Sequence, residues 1–203
     1  KFNDELVMKL GANYNDEAWE LLLNQLTKDE LLYFVESSGY ATDEAVSIGK
    51  PFMNEIDGGS GFNVAVNNPI SNNANKWTGF SNATFNGRNF EAFSEDAVLS
   101  GTLAANVIKG AKSKGVRMYL KHLVLSEEGP NPSQLNVWLT EQNLRENYLK
   151  SFEIAVKEGG ANALMTSMNR IGAVWTGASR ALCTDILKGE WGFNGTLVTD
   201  WVD

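Results

Sequence analysis

The chain has 203 residues, of which 43% are hydrophobic and 21% charged, and its formal net charge is −8. This composition is typical of a globular protein and argues against a disordered chain. With one cysteine and one histidine, the chain cannot form an internal disulfide or a zinc site built on several of these residues. A surface of this charge repels nucleic acid, so no nucleic-acid partner is expected.

Nothing in the sequence indicates a membrane segment or a secretion signal. The longest apolar runs are only a few residues long, too short for a transmembrane helix. No basic start followed by an apolar middle marks a signal peptide. We therefore expect no membrane partner, and the location stays unknown, with a slight preference for the cytoplasm.

The first part of the chain predicts two short helices and one strand. Apolar spacing favours a helix from Ala18 to Leu26. Thr27 and Glu30 have the spacing of a capping box, which predicts a second helix from Asp29 to Ser37. Residues 39–80 are rich in Gly, Asn, Ser and Thr and are typical of loops. Within them, residues 53–56 are interpreted as a strand.

From Ser94 onward, helices and strands alternate. We predict helices at 95–112, 139–158 and 180–188, and strands at 116–120, 163–166 and 196–199. The first helix has its apolar positions at Val98, Leu99, Leu103, Val107 and Ile108. The alternation is the pattern of a parallel β/α architecture and predicts the α/β fold class.

Polar residues follow the predicted strands at their C-terminal ends. They are Asp57, Lys121 with His122, Ser167 with Asn169, and Asp200. In a β/α barrel this end of the strands holds the active site, so these residues are candidates for one site.

Structural explanations for the same residues stay open. Asp200 can cap the next helix, and Asp57 can lie in an ordinary turn. His122 can be a hydrogen-bonded structural residue. Arg88 can bind ligand oxygens or can pair with a nearby glutamate.

The tryptophans divide in the same way. Trp19, Trp138 and Trp175 are expected in the core, whereas Trp201 lies next to Asp200 and is expected to contact ligand.

Several segments together resemble glycoside hydrolase family three, the β-glucosidases and related exo-acting glycosidases. The segments, in the family's order, are residues 57–61, 87–96, 121–123, 144–149, 165–169, 190–195 and 199–201. Gly-Arg-Asn-Phe-Glu at 87–91, Glu-Trp-Gly-Phe at 190–193 and Thr-Asp-Trp at 199–201 are the most specific. The resemblance covers the chain from about Leu26 to its end, and the sequence is identified as a member of this family.

The resemblance implies an incomplete (β/α)8 barrel of the TIM type. It implies a retaining β-glycosidase that removes terminal β-linked sugars through a covalent glycosyl-enzyme. Asp200 matches the family's nucleophile. The substrate-binding positions it implies are Asp57, Arg88, Lys121, His122, Met168 and Trp201. No cofactor and no metal is implied; the partners are a carbohydrate and a second domain or second copy that completes the site.

Some positions depart from the family pattern. Gly59 replaces a proline, Leu123 a phenylalanine, Met168 a tyrosine and Val202 a glycine. The loop at 124–130 is also altered, and we expect that a sugar-contacting arginine is lost there. The family's Lys-His-Phe-Pro-Gly-His sequence is absent, which disfavours the hexosaminidase branch.

The chain is expected to be a single partial barrel domain over residues 1–203. Because the family has a longer stretch before the Gly-Arg-Asn-Phe-Glu block, we expect a junction or an excised segment near residues 81–84. No acid/base carboxylate can be assigned, so the chain alone is expected to have little activity. A barrel fragment that binds sugar without turnover is the alternative interpretation, and a purely structural fragment is a second.

Overall fold

The structure, a computed structural model, describes residues 6, 10, 13, 15–36, 41–54, 92–127 and 131–201. The chain divides into two compact units, Lys1–Thr78 and Gly79–Asp203. The junction predicted near 81–84 lies outside the described residues, and it stays a prediction, as does the single domain. Within the described ranges, no helix is long and apolar enough to cross a membrane.

The first unit contains two helices and a small antiparallel sheet. Its elements are α1 (Ala18–Leu23), α2 (Lys28–Glu36), β1 (Ala41–Thr42), a 3₁₀ turn (Val46–Ile48) and β2 (Met53–Asn54). β1 pairs with β2. Both predicted helices are confirmed, although α1 ends before Leu26, and the predicted strand at 53–56 is confirmed at its first two residues.

Glu30 joins the start of α2 to the turn between the strands. The Thr27 backbone N–H donates to Glu30 Oε2 at 2.7 Å, and the Glu30 N–H donates to Thr27 Oγ1 at 3.2 Å, which is the predicted capping box. Ser47 donates to the same carboxylate from its hydroxyl at 2.6 Å and its backbone N–H at 2.9 Å. These bonds, those from Ser47 first, stabilise the ionised carboxylate and lower the pKa of Glu30 to about 2.

Replacing Glu30 by Gln is expected to remove a pH-dependent part of the stability of this unit. The pKa of Glu30 is lower in the folded chain than its ordinary value of 4.5. Its contribution is therefore complete above that value and is lost as the pH falls towards about 2. The free energy of unfolding, measured with urea, should fall more between about pH 6 and about pH 3 for the native chain than for Glu30→Gln.

Asp29→Asn is the control, because it removes an exposed carboxylate from the same helical turn. It should keep the native pH dependence. Equal pH dependence in the native chain and Glu30→Gln would contradict the assignment.

The second unit alternates helices with strands. In chain order its elements are α3 (Ala97–Lys112), β3 (Leu120–Leu123), β4 (Asn136–Val137), α4 (Glu141–Asn143), π1 (Leu144–Tyr148), α5 (Lys150–Lys157), β5 (Ala163–Thr166), β6 (Arg170–Ile171), β7 (Val174–Trp175), π2 (Ala181–Glu190) and β8 (Thr196–Val198). π1 and π2 have π-helical hydrogen bonding. The three predicted helices are confirmed, with the long one at 139–158 interrupted by π1.

A parallel three-stranded sheet forms the centre of this unit, in the order β3-β5-β8. The central strand β5 buries Ala163 and Leu164 completely, as expected for a strand covered on both faces. The arrangement confirms the α/β class. The strands expected at 163–166 and 196–199 are confirmed, but the strand expected at 116–120 is wrong in position, because pairing with β5 begins only at Leu120.

Helix α3 packs against α5 mainly through small residues, and Ile108 is the one buried residue among the apolar positions expected from the sequence. Its buried residues are Gly101, Ala104, Ala105 and Ile108. The other expected positions are exposed: Val98, Leu99, Leu103 and Val107. Close approach of the two helices explains the difference, because a Cβ at Gly101 would lie 2.8 Å from Ile154 Cβ and 2.9 Å from the Ser151 carbonyl oxygen.

A second, smaller sheet was not expected. β4 pairs in parallel with β6, which pairs antiparallel with β7. Strands of two residues are too short to show an alternating pattern. Trp138, directly after β4, was expected in the core, and that expectation is wrong: its residue surface is 78% exposed and its ring covers Gly172. Trp19 and Trp175 are only partly buried.

Replacing Gly101 by Ala should destabilise the chain by about 1–3 kcal/mol, since the new methyl group meets Ile154 and a backbone carbonyl. Gly110→Ala is the matched control on the same helix, because nothing lies within 4 Å of its Cβ position. The control should be stabilising by about 0.5–1 kcal/mol through helix propensity. Thermal unfolding of both variants tests the pair. A harmless Gly101→Ala would show that α3 and α5 are less closely packed.

Candidate active site

The turn before β8 places this strand directly against β5. Gly192 has a left-handed backbone with φ of 70°, while Trp191 and Phe193 on either side are buried. At Gly195 the backbone comes so close to Asn162 that a Cβ would lie 2.0 Å from the Asn162 carbonyl oxygen. The next residue's N–H donates to that oxygen at 3.0 Å. The specific sequence at 190–195 therefore holds β8 in its place, and Asp200 follows at the C-terminal end of the strand.

Strand β3 carries Lys121 and His122 in a bulge. Its ladder with β5 pairs Leu120 with Leu164 and then Leu123 with Thr166, so that two residues of β3 lie opposite one residue of β5. Lys121 and His122 were expected after the strand; instead they lie within it, and both are partly buried. Bulges change the direction of side chains and occur often beside active sites.

The two strand ends bring His122 and Asp200 together. His122 Nε2 lies 3.4 Å from Asp200 Oδ2, and each side chain is only 11% exposed. The other carboxylate oxygen, Oδ1, accepts a hydrogen bond from the Trp201 backbone N–H at 2.8 Å. Each carboxylate oxygen thus has a nitrogen neighbour, the His122 imidazole on one side and the Trp201 backbone on the other. Trp201 itself is 68% exposed.

The other predicted site residues have different outcomes. Lys121 lies next to His122 in the bulge, and Met168 is partly buried just beyond the C-terminal end of β5. Asp57 and Arg88 lie outside the described residues, and their convergence on Asp200 stays a prediction. Among the residues that the structure describes, no three His, Cys, Asp or Glu side chains are grouped to hold a metal ion.

Buried polar residues beyond β5 form a hydrogen-bond network to which the sequence analysis gave no specific role. Ser167 Oγ donates to the Val124 carbonyl at 2.9 Å, and Asn169 Nδ2 donates to the same oxygen at 3.0 Å. The Thr176 hydroxyl donates to the Ser167 carbonyl. Ser167 and Asn169 stood out only as polar residues at a strand end. Thr176 gave no signal, because its partner is fixed by tertiary structure.

The segment that holds Lys121, His122 and Asp200 also matches a known family. A model of the glycosyl hydrolase family 3 N-terminal domain matches residues 79–203. The chain belongs to glycosyl hydrolase family 3. The match begins after Asp57, so the family assignment is based on the second unit.

Individual relatives in family 3 are similar over the same part of the chain. β-Glucosidase B of Emericella nidulans is 44% identical over 115 residues, which are 57% of this chain and 14% of that protein. A β-glucosidase of Ruminococcus albus is 44% identical over 116 residues, which are 57% of this chain and 12% of that protein. The chain therefore spans only a small part of the length of these relatives.

Solved structures extend the likeness along the chain. A β-glucosidase from Kluyveromyces marxianus in complex with glucose matches with a TM-score of 0.76 and 25% identity, over 90% of this chain and 26% of that one. A β-glucosidase from Paenibacillus barengoltzii matches with a TM-score of 0.56 and 44% identity, over 57% of this chain and 13% of that one.

Gly195→Ala should displace β8 and lower stability by about 1–3 kcal/mol or more, because the clash is with backbone that cannot rotate away. Gly189→Ala is the control: its Cβ would lie at an ordinary 3.4 Å from the Thr184 carbonyl oxygen. That control should stay within about 0.5 kcal/mol of the native chain. Thermal unfolding compares the two. Equal, small effects would show that β8 does not need glycine at this turn.

Proposed function

We propose that the protein containing this chain is an exo-acting, retaining β-glycosidase of the β-glucosidase type. The observation that carries the proposal is the nearly buried pair of His122 and Asp200 at the C-terminal end of a parallel sheet. The pair lies in the segment that matches family 3. Similar proteins are named β-glucosidases, and one similar structure is a complex with glucose.

Asp200 is proposed as the nucleophile. Its carboxylate attacks the anomeric carbon, the bond to the leaving oxygen breaks, and a covalent glycosyl-enzyme forms; water then releases the sugar with retained configuration. The reaction needs an ionised carboxylate. His122 Nε2 lies 3.4 Å from its Oδ2, and the Trp201 N–H donates to its Oδ1 at 2.8 Å. The acid/base that protonates the leaving oxygen, about 5–5.5 Å from the nucleophile, is not assigned to this chain.

The remaining candidate residues are proposed to bind the sugar. Lys121 supplies a cationic hydrogen-bond donor from the bulge beside His122. The exposed Trp201 ring can cover the apolar face of a pyranose, and Met168 adds an apolar contact. Asp57 and Arg88 are proposed, on the resemblance alone, to bind hydroxyl groups of the same sugar.

We also propose that the parallel sheet belongs to a (β/α)8 barrel. Three adjacent parallel strands with helices between them, and polar residues at their C-terminal ends, support this architecture. The partners proposed for the site are a carbohydrate substrate and a second domain or second copy. Either of the latter can supply the acid/base.

The nucleophile is tested in the full-length enzyme, because the chain alone stays predicted to have little turnover. Asp200→Asn should lower the hydrolysis of an aryl β-glucoside by several orders of magnitude, since the covalent route is lost. A 2-deoxy-2-fluoro aryl β-glucoside should label the native enzyme on the peptide that contains Asp200, as measured by mass spectrometry.

The control variant is Asp185→Asn, which replaces a carboxylate on π2 whose side chain is 56% exposed. It should hydrolyse and label like the native enzyme. A label on another peptide, or near-native turnover by Asp200→Asn, would refute the assignment.

A further inference from the structure

The end of strand β3 is held by side chains as well as by the sheet. After the bulge, the Ser167 N–H donates to the Leu123 carbonyl at 2.9 Å, which continues the ladder. The chain then leaves the sheet, because Leu125 has a left-handed backbone with φ of 68°. Val124, between them, is 2% exposed. Its buried carbonyl accepts hydrogen bonds from Ser167 Oγ at 2.9 Å and from Asn169 Nδ2 at 3.0 Å.

The two donors are themselves fixed. Ser167 and Asn169 are 0% and 1% exposed. The Ser167 carbonyl accepts from Trp175 Nε1 at 3.1 Å and from the Thr176 hydroxyl. Ser167 has a single hydroxyl proton, and the Val124 oxygen is nearer to it than Thr176 Oγ1, which lies at 3.1 Å. The orientation of the Asn169 amide follows too, since only its NH₂ group can face a carbonyl oxygen.

We propose that Ser167 and Asn169 are positioning residues for the His122–Asp200 pair. His122 lies in the bulge, where the regular ladder is interrupted, so β3 needs a second attachment just beyond it. The bonds to Val124, two residues after His122, provide that attachment. On the other side of β5, Met165 pairs with Val198, two residues before Asp200. The chain around the end of β5 therefore determines the separation of the two side chains.

Ser167 and Asn169, with the Val124 carbonyl to which they donate, form a clamp. The effect of this clamp on catalysis rests on the proposed function, but its effect on the distance between His122 and Asp200 does not. His122 is the only histidine of the chain, so its imidazole gives the only histidine ring signals in a ¹⁵N NMR spectrum of the 203-residue protein. Asp200→Asn gives the reference position of these signals for a pair without the carboxylate. Ser167→Ala and Asn169→Leu, which keeps the branched shape of the side chain without a donor, should each move the His122 signals towards that reference.

Two controls separate positioning from a general loss of stability. Thr166→Val removes a buried hydroxyl next to Ser167 that has no hydrogen-bond partner among the described residues. Ile154→Ala leaves a cavity between α5 and α3, and it should lower the unfolding temperature without removing a bond to Val124. Both controls should leave the His122 signals at their native position.

The proposal would be overturned if Ser167→Ala and Asn169→Leu kept the native His122 signals while their unfolding temperatures fell as in Ile154→Ala. If Asn169→Leu does not fold, Ser167→Ala decides alone, because it keeps the Asn169 bond. In the full-length enzyme, the clamp variants should lower kcat more than they change KM. If the His122 signals move in the variants but the native full-length protein does not hydrolyse an aryl β-glucoside, the proposed function is wrong and the positioning role of Ser167 and Asn169 is still supported.

Discussion

Hydrogen bonding to one central strand holds both parts of the candidate site. Strand β5 pairs in parallel with β3 on one side and with β8 on the other, and three of its four residues are almost fully buried. His122 comes from the first neighbour and Asp200 from the second. Neither side chain can keep its position if either ladder shifts. The close backbone contact at Gly195 fixes the start of β8, and the side-chain bonds to Val124 fix the chain just after β3.

Much of this arrangement could be predicted from the sequence, because it follows from local patterns. Apolar spacing gave the helices that became α3, α5 and π2, and apolar runs gave β5 and β8. The capping box at Thr27 and Glu30 is also local, since both residues belong to one helical turn. The proximity of His122 to Asp200 agrees with the expectation that polar residues after parallel strands meet at one edge.

The parts that could not be predicted depend on tertiary contacts. The position of β3 is set by its register with β5 and not by its own apolar residues, so the strand was placed too early. The buried face of α3 is set by how closely α5 approaches, which favours glycine and alanine over the larger apolar residues. Trp138 looks like a core residue in the sequence, but it follows a two-residue strand and its ring is exposed. The bond from Ser47 to Glu30 likewise requires the folded loop.

With the bulge in β3, Lys121 and His122 need not follow the side-chain alternation of a regular strand. In a regular strand, consecutive side chains point to opposite faces of the sheet, so a Lys-His dipeptide would present one residue to each side. Two residues opposite one break this parity. The regular pairing resumes at Leu123. Lys121 and His122, which lie before it, do not have to point to opposite faces of the sheet. Deleting one of the two residues would restore a regular ladder, in which consecutive side chains alternate between the two faces of the sheet.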